Sequence, residues 1–418
     1  MQQARQPSTH GRRTRRWPWA VASRPSTYSN GGHWLIAAVV VLYLAAASYG
    51  PSVATDPAAA NAAAWNLVTT GSLTIPDGWA EREQVWPAET RTGAAAIDRF
   101  PGVVVWLAPA HGMARLLGAS PSDADDPLTV PAWPGSLTAA LTAALAMGLL
   151  LSVLSRVVES GTAVGVTAVV ALGTPMFSTA ANAAWPHALS VALVTLGLWG
   201  CLATKPRVVA ASVALGVLTR PHVGLGQAIA VAAAGRGRRW TFLGLASLLV
   251  GGLLLVVYSW WLFGTRLPAA GYATEPLVAR ALAVDPRFLV DQVIGAWLHP
   301  SRGVLVLTPI LFVLLPWVTS GWRASPRWVR ASAVSGVIVL LVQYRLMRFT
   351  GGSGFFGYRT SLEGLVMATP LFAVTWQEAI ASRRWWRLGG VAAAVACVVI
   401  HTYGAFMGAA PPVLSAGP

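Results

Sequence analysis

Apolar runs close to the length of a membrane-crossing helix recur along this chain, and arginine marks alternate gaps between them. A helical span needs about 20 apolar residues, and roughly 17 is the lower limit. A chain built of such runs has too little polar surface to fold in water. Of its 418 residues 55% are hydrophobic and 11% are charged, whereas a soluble domain carries about a quarter charged residues. The pattern predicts an all-α polytopic membrane bundle of eleven spans, near 34–50, 134–154, 162–181, 187–203, 208–219, 222–234, 241–263, 303–320, 331–345, 362–380 and 388–406. Residues 34–406 then form one transmembrane domain, between an Arg-rich tail (1–33) and an outer tail (407–418).

The formal charge of +15 would suit nucleic acid if it were spread over one face. It sits instead in short clusters, where the positive-inside rule puts it. With the tail bearing Arg5, Arg12, Arg13, Arg15, Arg16 and Arg24 inside, alternate loops should be basic. They carry Arg156; Lys205 and Arg207; Arg236, Arg238 and Arg239; Arg323, Arg327 and Arg330; and Arg383, Arg384 and Arg387. Of 15 acidic residues, nine fall in one predicted outer segment, 51–132. The expected location is the cell membrane, with a cytoplasmic N-terminus and no nucleic-acid partner. Ala45, Ala46 and Ala47 resemble a signal-peptide cleavage site, but the long Arg-rich lead favours an uncleaved anchor. Lys205 is the only lysine, and the Arg, Ala, Gly and Pro bias suits a GC-rich bacterial genome such as that of an actinobacterium. Cys201 and Cys397 lie inside apolar runs and read as small core residues.

Three local features stand out. The fifth and sixth spans are short and interrupted by Arg220 and Pro221, as expected of a broken hairpin facing protein or a cavity. TDPAAANAAAWNLVTTGSL carries Asp56 as N-cap, Pro57 at the first turn and Gly71 past the end, a complete helix signature. Ala60, Ala64, Leu67 and Val68 share one face, which predicts a helix lying on the membrane surface. Residues 100–118 predict a second interfacial helix, because Pro109, His111 and Arg115 suit a span poorly. Asp56 has two readings, a helix cap and a carboxylate that accepts a proton from an acceptor hydroxyl. The cluster Asp123, Asp125 and Asp126 lacks the His or Cys spacing of a metal site.

These pieces, taken in order, resemble the GT-C superfamily of membrane glycosyltransferases. The resemblance rests on Asp56, Ala63, Leu67 and Gly71 after the first span, then FPGVVVWLAPAHGMARLLG. NAAWPHALS (182–190), LGVLTRPHVGL (215–225), YSWWLFGTRLPAAGY (258–272), HPSRGVLVLTPILF (299–312) and GGSGFFGYRTSLEGLVMATPLF (351–372) follow. It covers residues 34–380.

The resemblance implies transfer of a sugar, with mannose or arabinose expected, from a polyprenyl-phosphate donor. The acceptor is an envelope glycan or glycolipid on the outer face. It implies Asp56 as base and Arg220, Arg302 and Arg359 as donor-phosphate partners; Arg345 and Arg348 read as a span-end pair. Trp185, His187, His299 and Tyr358 are the expected further substrate contacts. Arg359 follows four glycines whose amides would suit an anion nest, and Arg302 opens a span whose N-terminus favours an anion. Many relatives place two acids together where Asp56 stands beside Pro57. That leaves open whether Mg²⁺ or Mn²⁺ takes part, and no metal ligand is assigned. Two other readings stay open: a transporter or flippase of lipid-linked precursors, and an inactive relative serving as an assembly subunit.

Overall fold

The computed structural model describes residues 30–50, 54–234, 237–265, 286–347, 349 and 354–407. The N-terminal arginine tail, Arg236, Arg348, Gly351, Gly352 and the outer C-terminal tail lie outside the described residues, as does most of 264–285.

Among the described residues the architecture is nearly all helical, and the predicted spans fall mainly on helix. The named helices are α1 (Asn30–Ala46), α2 (Thr55–Thr70), α3 (Pro101–Leu116), α4 (Trp133–Leu154), α5 (Ser160–Leu172), α6 (Pro186–Leu202), α7 (Pro206–Thr219), α8 (Pro221–Ala234), α9 (Arg238–Phe263), α10 (Pro286–Leu298), α11 (Arg327–Leu346), α12 (Leu362–Thr375) and α13 (Arg384–Met407). Four of them, α4, α9, α11 and α13, are long and apolar enough to cross a membrane; α1, α5, α6 and α7 are shorter apolar helices. The central core joins α1, α4, α5, α6, α11 and α12 through Tyr43, Met147, Val170, Val194, Val339 and Met367. By contrast, α9 leaves Phe242, Leu245, Leu249 and Leu253 exposed along its length. An apolar stripe of that extent suits hydrocarbon, not water.

Local chemistry explains most element edges. α6, α7 and α8 each begin at a proline, Pro186, Pro206 and Pro221, where the missing N–H costs no helix bond. α9 ends at Gly264 in the left-handed conformation, φ +71°, and its N–H donates to the Trp260 carbonyl.

Two expectations need correction. Residues 303–320 are not one continuous helix. They break into Val304–Leu307, Ile310–Leu314, a tight turn at Leu315–Trp317, and Val318–Ala324. Pro309 and Pro316 each remove an N–H from the helix ladder, which accounts for two of the breaks. The turn opened by Gly303 is four residues long, too short to give Arg302 a meaningful helix dipole.

The helix carrying Asp56 also does not lie on a surface. Every α2 residue from Pro57 to Asn66 is buried. Its alanines let neighbours approach on all sides, and α3 packs closely along it. Arg115 of α3 donates to the Val68 carbonyl at 2.7 Å and so satisfies an orphan acceptor at the C-terminal end of α2.

Between α2 and α3 lies a small subdomain. Its two strands, β1 (Pro87–Glu89) and β2 (Ala95–Ile97), pair antiparallel with Ala88 opposite Ala96. The Arg91 N–H donates to the Leu262 carbonyl, tying the hairpin to the end of α9.

Candidate active site

α2 starts at Thr55, two residues earlier than the cap signature predicts. Ala54 holds the N-cap position, and no side chain caps the helix. The end is as expected: Gly71 takes φ +71° and its N–H donates to the Leu67 carbonyl. Asp56 therefore sits in the first turn with its carboxylate free to turn outward.

That carboxylate meets two guanidiniums. Arg99 Nη2 donates to Oδ1 at 2.9 Å, and Arg359 Nη1 donates to Oδ2 at 2.6 Å. The Asp56 side chain is 26% exposed, while Arg99 and Arg359 are 11% and 8% exposed. Burial alone would raise the Asp56 pKa, but the charges of Arg359 and then Arg99 outweigh it and hold it at about 2. Asp56 is a carboxylate at any physiological pH.

Each arginine rests on an aromatic ring. The Arg99 guanidinium lies 5.3 Å from the centre of the Trp86 ring. Arg359 lies 4.2 Å from the Trp185 ring and 4.7 Å from Phe355. Arg302 approaches the same Phe355 at 4.6 Å. Burial and the nearby Arg359 charge both lower the Arg302 pKa. Two like charges on one ring repel each other, and an anion placed between them relieves that repulsion.

The loop bearing Arg359 is held from below. Thr179 and Ser178 hydroxyls donate to the Phe356 carbonyl at 2.6 and 3.2 Å. Gly354 and Gly357 take φ +78° and +93°, a region an L side chain enters only at a cost. The expected four-glycine nest is described only for these two.

Arg220, at the break between α7 and α8, belongs to an adjoining buried group. It donates to Glu363 at 3.1 Å and to Gln343 at 2.7 Å, and it touches His187. His187 Nδ1 lies 2.9 Å from Glu363. Glu363, at the start of α12, is 1% exposed. An isolated arginine at this depth is expensive; here a carboxylate compensates it. Arg220 is thus committed to Glu363 and Gln343, and it reaches Asp56 only through the His187 neighbourhood.

Four expected substrate contacts are placed differently. Trp185 is 3% exposed and beds Arg359, so its face is not open to a sugar. His187 is enclosed by Glu363 and Arg220. His299 lies 3.1 Å from the Ser301 hydroxyl and packs at a tilt against Phe349, with ring centres 5.3 Å apart. The Tyr358 hydroxyl bonds Thr308, and its ring lines an apolar cavity of about 520 Å³ between α5, α12 and α13.

Two functional candidates escaped the sequence reading. Arg99 lies in the acidic segment 51–132, where no motif marks it. Glu363 stands in the first turn of an apolar run, and an ionisable residue in such a run is itself a signal. Among the described residues no three His, Cys, Asp or Glu side chains gather as a metal site. Asp56 itself is met by guanidiniums, a setting that repels a divalent cation.

No protein-family model matches this chain, and no curated protein does.

Proposed function

We propose that this chain is a membrane glycosyltransferase of the GT-C type, threaded eleven times through the cell membrane with its N-terminus cytoplasmic and its site outward. The donor is a polyprenyl-phospho-sugar, with mannose or arabinose the expected sugar, and the acceptor is an envelope glycan or glycolipid. The observation that carries the reading is the Asp56 carboxylate held against Arg359, with Arg302 against the same Phe355 ring. A carboxylate beside a pair of guanidiniums supplies a base and an anion site together.

Asp56 takes the proton of the acceptor hydroxyl as its oxygen attacks the anomeric carbon. The bond from that carbon to the phosphate oxygen breaks, and polyprenyl phosphate leaves carrying the electron pair. Arg359 and Arg302 neutralise the departing phosphate, for which a planar donor fork is well suited. Arg220 acts at one remove, through His187. Direct displacement inverts the anomeric centre.

The same clamp favours one other reading, an inactive assembly subunit in which Asp56 is a structural counter-ion. Asp56→Asn separates the two. Transfer from a polyprenyl-phospho-sugar in vesicles should fall by about 10²–10⁴ on loss of a general base, with the thermal midpoint tracked in parallel. Full activity in that variant removes Asp56 from the chemistry. Absence of transfer by the native protein with any envelope acceptor favours the subunit.

A further inference from the structure

Trp86 is an exposed aromatic in a conformation that tryptophan avoids. It takes φ +57° and ψ +59°, where a bulky residue is a genuine outlier. It also precedes Pro87, which favours extended backbone at the residue before it. Only one other described non-glycine residue has positive φ, Thr204. That residue lies just past the end of α6, where a left-handed residue is an ordinary terminator. Trp86 ends only a three-residue turn, Glu83–Val85. Its backbone is fixed on both sides: its N–H donates to the Glu83 carbonyl, and its carbonyl accepts from the Asp98 N–H at 2.9 Å.

The strain does not hide the ring. Trp86 is 44% exposed, whereas its neighbour Val85 is fully buried. One side of the indole is approached by Arg99, and Arg99 in turn grips Asp56. The exposed ring is therefore one guanidinium away from the proposed base. Trp260 and Trp261, exposed 49% and 61% at the end of the regular helix α9, need no more than a place in the interfacial aromatic belt. A belt residue needs no strained backbone. Strain of this kind persists only where the surroundings fix it, and it clusters at functional sites.

We infer that Trp86 is the platform on which a sugar ring of the acceptor stacks, placing its hydroxyl toward Asp56. The inference rests on the glycosyltransferase reading for its second half, and on the exposed, strained ring for its first. An indole face is apolar and flat, as is the C–H face of a pyranose or furanose. The Arg99 charge beside the ring offers hydrogen bonds to hydroxyls at the sugar's edge. Specificity for a saccharide over a lipid alcohol would then come from Trp86, which is joined through Arg99 to one oxygen of Asp56 while Arg359 holds the other.

The test uses the full chain in lipid nanodiscs, with α-(1→6)-mannotriose and α-(1→5)-arabinotriose as binding probes and as acceptors. Trp86→Gly keeps the left-handed backbone and removes the ring; Trp86→Tyr keeps an aromatic face. Trp86→Gly should raise the acceptor KM roughly ten-fold, the size of one aromatic stacking contact, and leave the donor KM unchanged. Trp86→Tyr should restore most of the affinity. Transfer with unchanged acceptor KM in Trp86→Gly overturns the platform and leaves the transferase reading intact. Trisaccharide binding that needs Trp86, in a native protein that transfers nothing, supports the platform and overturns the transferase. Neither binding nor transfer overturns both.

Discussion

Asp56 and Arg359 stand 303 positions apart and share a 2.6 Å ion pair. The pair ties the start of α2 to the loop that leads into α12. It also aligns two tryptophans, because Trp185 lies under Arg359 and Trp86 against Arg99. The carboxylate is thus gripped by two arginines whose own positions are set by aromatic faces, one buried and one exposed.

Arg359→Lys tests whether the planar fork matters. A lysine retains the charge but cannot spread over both Trp185 and Phe355, and it loses the directed pair to Asp56. The expected loss is about 1–2 kcal/mol of stability, with transfer reduced further than Arg99→Lys reduces it. Thermal melts and initial rates on the same preparations check both parts. Native-like stability in the lysine variant would show that charge alone suffices.

The pH dependence has a definite sign. Asp56 falls from an ordinary 3.8 to about 2 on folding. A depressed carboxylate contributes stability that is fully present above the unfolded value and lost as pH falls through the folded one. The thermal midpoints of the native protein and Asp56→Asn should differ steadily above pH 4. They should converge between pH 4 and about pH 2. A constant gap across that window would mean that the carboxylate contributes nothing through its charge.

Glu363 should matter for stability more than its position in an apolar run suggests. Removing one partner of a buried ion pair typically costs about 3–5 kcal/mol, because the other charge is left uncompensated. Glu363→Ala should therefore melt far below Arg220→Met/Glu363→Leu, in which both charges are gone. A double-mutant cycle on thermal unfolding reads the coupling directly, and additive effects would contradict the pairing.

Close backbone approach holds α12 against α11. A Cβ on Gly364 would stand 2.8 Å from the Gly336 carbonyl oxygen, and backbone cannot move aside as a flexible side chain can. Gly364→Ala should lower the thermal midpoint and weaken transfer by shifting Glu363 and, through it, Arg220. Gly389→Ala, where nothing lies within 4 Å, is the control and should leave both unchanged.

Much of the helical framework was legible in sequence because its causes are local. Pro186, Pro206 and Pro221 open helices where they stand, and Gly71 and Gly264 close them through their own left-handed backbone. The break at Arg220 and Pro221 was likewise readable, since proline acts on its own turn. The break in residues 303–320 was underread: Pro309 and Pro316 were outweighed by the apolar run around them. The surface placement of α2 failed for a different reason. An alanine stripe fixes which residues are small, not how many neighbours close around them.

The residue types by themselves determined that this chain is rich in apolar helices of the kind membranes hold, and roughly where most of them run. Tertiary structure decided what Asp56 does with its charge. The cap signature was present in the sequence, yet the carboxylate turned to Arg99 and Arg359. Two buried guanidiniums bind a carboxylate more strongly than a backbone amide at a solvated helix end does. No local pattern records a partner 303 positions away, nor the left-handed backbone of the exposed Trp86.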